Sequence, residues 1–239
     1  MSEIDPETSL PIGARVAGPL AQRPRRADLP GQYLRLVPLD PAAHAEELWR
    51  SIRGPASAAL WRYLFDGPYR EYSGFYAALE KKAASDDPLY FAILDPARGA
   101  TGYAALMRIE PEHRTIEVGS ILFSPLLQRT RGATEAMYLI ARHAFEELGY
   151  RRYEWKCDAL NEPSRRAALR LGFQFEGIFR QHMIVKGRSR DTAWFSMLDC
   201  EWPDRKRAFE RWLDPGNFAG DGRQIAALAE LRHDGDRAF

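Results

Sequence analysis

The stretch from residue 114 to 158 constrains the fold more than any other. Residues 114–123 (RTIEVGSILF) read as a strand, and Pro125 stops it. Beyond Gly132, residues Met137, Ile140, Ala141, Ala144, Phe145 and Leu148 recur at i, i+3, i+4, i+7, i+8 and i+11. That is one apolar stripe on a long helix, which Gly149 ends. Residues 152–158 (RYEWKCD) then alternate, with Tyr153, Trp155 and Cys157 on one face. A helix joining two strands makes a crossover, so these two strands are expected to run parallel.

The flanking segments fit around this unit. Residues 32–39 (QYLRLVPL) alternate as a strand. Asp40 then reads as an N-cap, with Pro41 opening a helix through Leu48, Trp49 and Ile52 that ends at Gly54-Pro55. The stretch 56–87 reads as helical and aromatic, with Trp61, Tyr63, Phe65, Tyr69, Tyr72, Phe75 and Tyr76. Such aromatics are more often core than the lining of a substrate pocket. Residues 89–95 and 102–109 are strands joined by a turn at 96–99, and with 114–123 they form an antiparallel meander. A short helix over 162–171 stops at Gly172, two strands over 174–186 and 191–200 are joined by a KGRSRD hairpin, and a last helix covers 203–213. The order predicts an α/β (α+β) fold, with a mixed, mostly antiparallel central sheet of about seven strands and helices on both faces. Residues 1–31, broken by Pro6, Pro11, Pro19, Pro24 and Pro30, read as an extended N-terminal arm that lies on the domain or stays mobile. The domain proper spans 32–213, and 214–239 is a C-terminal extension, weakly periodic around Ile225, Leu228 and Leu231.

Composition narrows the function. Lys and Arg number 34 against 33 Asp and Glu, a net charge of +1. A nucleic-acid binder usually carries a basic excess, so none is expected to bind, and the cluster Arg23, Arg25, Arg26 reads as solvated charge. Two cysteines, Cys157 and Cys200, make neither a disulfide framework nor a metal-type spacing, and a reduced, cytoplasmic protein without metal is expected. No run of ~18 apolar residues predicts a membrane span. The acidic opening (MSEIDPETSL) has no apolar core of a signal peptide.

Two segments carry chemistry. In 119–135 (GSILFSPLLQRTRGATE) a strand ends, a loop with Gln, Arg and Gly follows, and the long helix opens. Free backbone N–H groups at that helix start suit an anion, and Arg129 and Arg131 add charge. The loop lacks a Walker lysine and the G-x-G-x-x-G spacing. In 157–177 (CDALNEPSRRAALRLGFQFEG) Asn161 sits at a helix N-cap, with Ser164 at the third helical position. Asn is a favoured cap and Leu171-Gly172-Phe173 a common helix stop, so a structural role stands beside a chemical one for each.

Taken together the two segments resemble the GNAT superfamily of acyl-CoA N-acyltransferases, most of all the branch with the ribosomal-protein N-acetyltransferases. The first motif is Arg129-Thr130-Arg131-Gly132-Ala133-Thr134 followed by Glu135-Ala136; the second is Asn161, Ser164, Arg170-Leu171-Gly172-Phe173 and Glu176-Gly177. The resemblance covers about residues 32–200, and Thr134 departs from the usual small residue. It implies transfer of an acetyl group from acetyl-CoA to a primary amine by direct attack. That amine is a peptide or protein N-terminal α-amine or a small-molecule amine. It implies a bulge, expected at Gly119-Ser120, that splays strand 114–123 from its parallel neighbour, with acetyl-CoA in the V between them.

Backbone groups of Ile121, Leu122 and Phe123 would then hold the pantetheine arm, and the amides of Arg129, Arg131, Gly132, Ala133 and Thr134 the pyrophosphate. Asn161 would bond the pantetheine chain, and Ser164 would stabilise the leaving thiolate. Arg165, Arg166 or Arg170 could reach the nucleotide phosphate. Glu117, Glu154, Glu176 and His182 are candidate bases, Glu117 and His182 foremost, whereas Cys157 reads as packing. The expected partners are acetyl-CoA and the amine acceptor, with no nucleic acid and no membrane, and a homodimer is compatible. The alternative is a non-catalytic acyl-CoA-binding regulatory module; the presence of both Asn161 and Ser164 favours an enzyme.

Overall fold

In the computed structural model, which describes residues 2–54 and 57–232, the crossover unit forms the middle of the sheet. Strand β7 (Thr115–Phe123) leads through a loop to α4 (Arg131–Arg142) and a π-helical turn (His143–Glu147), and β8 (Arg152–Asp158) returns parallel to β7. Before it come β3 (Leu29–Pro30), β4 (Arg35–Pro38), α1 (Pro41–Ile52), α2 (Ser57–Leu60), α3 (Tyr72–Ala83), β5 (Leu89–Asp95) and β6 (Gly99–Glu110). After it come α5 (Glu162–Leu171), β9 (Gln174–Val185), β10 (Arg188–Leu198) and α6 (Trp202–Leu213). Strands β1 (Ser2–Ile4) and β2 (Pro11–Gly13) make a separate small hairpin.

The main sheet runs β3-β4-β5-β6-β7-β8-β10-β9, and every neighbouring pair but β7–β8 is antiparallel. It has eight strands where seven were expected. The eighth is Leu29–Pro30 from the proline-rich arm, which pairs with Arg35 and Leu36. The arm lies on the domain: Ala21 and Leu29 are buried in the core, and the Gln22 N–H donates to the Leu148 carbonyl at 2.8 Å. Its arginines are not merely solvated. Arg26 pairs with Asp86 at 2.5 Å, and Arg23 donates to the Ile109 carbonyl.

Each face of the sheet has its own core. Ile116 and Val118 of β7, Tyr153, Trp155 and Cys157 of β8, and Ala193, Phe195 and Met197 of β10 pack with α4, α5 and α6. On the other face Tyr90, Tyr103, Ala105 and Leu122 pack with Leu48 of α1 and Phe75 and Leu79 of α3. Glu135 of α4 ties the entry of β4 to this frame, accepting from the N–H groups of Gln32, Tyr33 and Leu34 at 2.6–2.9 Å.

The expected long aromatic helix is two short ones. Helices α2 and α3 are separated by turns around Gly67, whose φ is 62° and whose missing Cβ leaves room for the Trp61 ring. Pro55 and Ala56, at the expected end of α1 and start of that stretch, lie outside the described residues, as do residues 233–239 of the C-terminal extension. Elsewhere the expected spans hold to within a few residues, and α6 begins at Trp202. The segment around Ile225, Leu228 and Leu231 forms turns; Leu228 is buried against the core.

Candidate active site

The parallel ladder is short. Strand β7 pairs with β8 only at Thr115–Arg152, Ile116–Tyr153 and Glu117–Glu154, while both strands run on, to Phe123 and Asp158. On its other side β8 stays paired with β10 along its whole length. The split therefore lies between β7 and β8 and opens at Glu117. A bulge bends β7 away: Tyr103 opposes Leu122 and Ala105 opposes Gly119, so three steps on β7 match two on β6. Ser120, at φ 50°, is the left-handed residue of this bulge, and its hydroxyl pairs with the Tyr90 hydroxyl at 2.9 Å. The extra residue flips the alternation. Val118 faces α4, whereas Leu122 faces α1.

At the mouth of the split stands the start of α4. Thr130 caps the helix, its hydroxyl accepting from the Ala133 N–H at 3.1 Å and donating to the Leu127 carbonyl at 2.7 Å. The N–H groups of Arg129, Arg131, Gly132 and Thr134 make no hydrogen bond among the described residues, on a helix end that favours negative charge. These residues fit a diphosphate. The side chains do less than the sequence suggests. Arg131 stacks on Phe218 at 3.6 Å, and Thr134 points inward, accepting from Arg170 at 3.1 Å. Arg170 also stacks on Trp212, while Arg165 and Arg166 both pair with Glu162. The Phe123 carbonyl accepts from the Gln128 side chain at 2.9 Å.

On the β8 side, Asn161 caps α5, its side-chain oxygen accepting from the Ser164 N–H at 3.2 Å. The Ser164 hydroxyl accepts from the Trp155 indole at 3.0 Å and also bonds the Cys157 sulfur, a contact that opposes the effect of burial on that thiol. Cys157 is buried, and burial pushes its thiol up, as a packing residue requires.

The opposite face of β8 is charged. Glu117 is buried between two cations, Arg108 at 2.6 Å and Lys156 at 3.1 Å; burial pushes its carboxyl up against their pull. Lys156 also bonds Glu154 at 2.7 Å and lies 3.9 Å over the Trp194 ring. Burial raises Glu154, but hydrogen bonds from Lys156 and Arg152 outweigh it and leave the carboxyl below its usual range. Glu176 takes both arms of Arg152, at 2.8 and 2.5 Å, and that guanidinium holds it low. His182 sits in a β9 bulge, bonded to the Thr192 hydroxyl at 2.9 Å, with β8 and β10 between it and β7. Glu117 is thus at the apex of the split and His182 is not. Sequence reasoning missed Arg108 and Lys156. The alternation of Arg152, Glu154, Lys156 and Asp158 could have shown the lysine; Arg108 sits in an irregular turn of β6 and left no signal.

The model of the acetyltransferase (GNAT) domain matches residues 33–174. A GCN5-related N-acetyltransferase from Brucella melitensis is 48% identical and superposes with a TM-score of 0.88, covering 89% of this chain and 97% of that one. The uncharacterised N-acetyltransferase YoaA of Bacillus subtilis (strain 168) is 33% identical over 100 residues, 42% of this chain and 54% of the relative, so the match spans about half of that protein's length. An acetyl transferase from Salmonella typhimurium that modifies the N-terminal serine of ribosomal protein L7/L12 shares the fold at 19% identity, with a TM-score of 0.62 over 72% of this chain and 99% of that one. With more than half its length matched by the domain model and a relative this similar across nearly the whole chain, the protein belongs to the GNAT acetyltransferase family.

Proposed function

We propose that the chain transfers the acetyl group of acetyl-CoA to a primary amine, either a peptide or protein N-terminal α-amine or a small-molecule amine, by direct attack. The observation that carries this reading is the end of the β7–β8 ladder at Glu117, with unpaired strand edges beyond it and open α4 amides at its mouth. The edge at Ile121, Leu122 and Phe123 suits the amides of a pantetheine arm, in the manner of an added strand. The N–H groups of Arg129, Arg131, Gly132 and Thr134 suit the pyrophosphate, while the Ala133 N–H, expected to join them, is taken by the Thr130 hydroxyl. Asn161, whose side-chain oxygen serves the cap, has its NH2 to offer the pantetheine chain.

The attacking amine must be neutral. An α-amine has a pKa near ~8 and a lysine near ~10.4, so at pH 7 roughly a tenth of the former is neutral and well under ~0.1% of the latter. We assign the base to Glu117, at the apex, because burial makes its carboxylate a better proton acceptor. A backbone N–H of the splayed strand polarises the thioester carbonyl. Ser164, held by Trp155, donates to the departing sulfur. Among the described residues no helix is long and apolar enough to cross a membrane. Both cysteines are unpaired thiols, which supports a reducing, cytoplasmic setting.

The test joins a thermal shift with a thiol-release assay over N-terminal peptides and small amines. Acetyl-CoA at ~100 times its Kd should add about 2.7 kcal/mol of stability. Thiol should appear only when an amine is present. A shift with no thiol from any amine would make the chain an acyl-CoA-binding regulatory module instead, and no shift at all would sink the cofactor assignment.

A further inference from the structure

Arg190 is the third residue of β10 and is only 7% exposed. It shares the face of Thr192 and Trp194, away from the side on which Ala193, Phe195 and Met197 pack with α4. Among the described residues its guanidinium makes no hydrogen bond and no ion pair, and its Nε is fully buried with no acceptor. Its guanidinium lies 5.2 Å from the centre of the Phe65 ring. Burying a guanidinium N–H without an acceptor is costly. Other enclosed cations of the chain are matched: Lys156 by Glu117 and Glu154, Lys82 by Asp66, and Arg205 by the Gly172 carbonyl.

The surroundings are short of acceptors too. The Trp194 indole N–H, on the same face of the same strand, is also buried without a partner. Glu117, Glu154 and Glu176 are already taken by Arg108, Lys156 and Arg152. Asp158 attracts Arg190 but forms no ion pair with it, and its oxygen serves the Leu160 N–H at 2.9 Å. Glu117, at the apex of the split, also feels Arg190, so the two share one region. Above it the segment carrying Phe65 is pinned as a roof. Lys186, in the turn between β9 and β10, bonds the carbonyls of Trp61 and Asp66, each at 2.7 Å, and the Tyr63 hydroxyl bonds the Leu160 carbonyl at 3.1 Å.

We propose that Arg190 anchors a carboxylate of the acceptor, so that the preferred acceptor is an amine bearing a carboxylate. This rests on the acetyltransferase reading above. A carboxylate offers two oxygens to the planar fork and supplies the acceptors that the side chains around Arg190 lack. A carboxylate on a free amino acid and one on an acidic side chain of a peptide share that chemistry. An uncharged analogue would leave the guanidinium buried and unpaired, which is the situation in which sites discriminate most strongly.

The experiment compares matched acceptors by thiol release: amino acids against their primary amides, and peptides with Glu against the same peptides with Gln near the amino end. The first pair reads a free carboxylate and the second a side-chain one. The parent should favour one acid series by at least ~30-fold in kcat/KM, mostly through KM. Arg190→Gln should lose that preference while still turning over the amides, and Arg190→Lys should regain part of it. Because the buried charge is unmatched, Arg190→Gln should not lower Tm; an arginine with a purely structural role would. Glutarate against its diamide, read as a thermal shift, tests the anion site without turnover. A glutarate shift present in the parent and lost in Arg190→Gln upholds the anchor even if no amine is acetylated, in which case only the acetyltransferase reading falls. Acetylation with no preference for acids, a preference that survives in Arg190→Gln, or the absence of a glutarate shift would each overturn the anchor.

Discussion

Lys156 stands between two carboxylates on the floor of the split, its Nζ 3.1 Å from Glu117 and 2.7 Å from Glu154. Its side chain is nearly as enclosed as that of Glu117, at 6% against 3% exposure. Where the β7–β8 ladder ends, this lysine spans the gap that the missing backbone bonds leave open. Burial pushes the Glu117 carboxyl up, and Lys156 and Arg108 are what oppose it.

Lys156→Met should therefore push the Glu117 carboxyl higher still. If Glu117 is the base, the acid limb of kcat/KM moves to higher pH in this variant, while a saturating acetyl-CoA thermal shift persists. An unmoved acid limb would separate Glu117 from the proton transfer. Glu117→Gln should cost on the order of 10²–10⁴ in kcat.

Arg152 serves the other two carboxylates, Glu154 and Glu176, and both sit below their usual range. A depressed carboxyl contributes stability that is present above its unfolded pKa and lost as pH falls through the folded value. Glu117 has the opposite sign: its raised carboxyl favours the fold at low pH and loses that contribution as pH rises through its folded pKa. Arg152→Leu removes the partner that Glu154 and Glu176 share, so acid unfolding followed by circular dichroism should begin at higher pH than in the parent. An unchanged acid midpoint would show that solvent already screens these pairs.

The sequence expectation that Gly132 serves the diphosphate now meets a second demand on the same residue. A Cβ there would stand 2.8 Å from the Leu34 side chain. Gly132→Asp should lower the resting Tm through Leu34 and should also abolish the added shift from acetyl-CoA. The ligand-induced difference separates the two effects. A variant that is less stable yet shifts as far as the parent would make the loop a structural turn.

The legible parts of this molecule are those that repeat. The apolar stripe from Met137 to Leu148 and the alternation of Tyr153, Trp155 and Cys157 were enough to place a parallel pair, and the break at Gly119-Ser120 marked the bulge. What stayed hidden was fixed by distant partners. Leu29–Pro30 forms a two-residue strand because Arg35 and Leu36 are there to pair with it, and two residues carry no period. The aromatics of 61–76 looked continuous, but the turn at Gly67 depends on its packing against Trp61. Cap residues were readable because capping is local: Asp40 and Asn161 act within three residues, as does Thr130, whose cap the sequence reading did not name. Arg190 lay in a stretch that read as a polar hairpin, and its burial comes from Phe65, 125 positions away in the chain by subtraction of their residue numbers.

Ser164 gives the last prediction, because its hydroxyl has two duties that a single substitution would confuse. It accepts from the Trp155 indole at 3.0 Å, and in the proposed chemistry it donates to the leaving sulfur. Ser164→Ala should lower kcat about tenfold to a hundredfold with little change in acetyl-CoA affinity, since the interaction matters most where charge develops. It should also lower Tm, because the partly buried indole N–H is left unpaired, a cost of about 1–3 kcal/mol. Trp155→Phe removes that donor. In the Trp155→Phe background, Ser164→Ala should cost much less stability and yet keep its full effect on kcat. The measurement is a double-mutant cycle read twice, once in Tm and once in kcat per folded enzyme. If the kcat effect disappears together with the stability effect, the hydroxyl acts only by holding Trp155. If it persists when the indole is gone, the proton of Ser164 is used in the reaction.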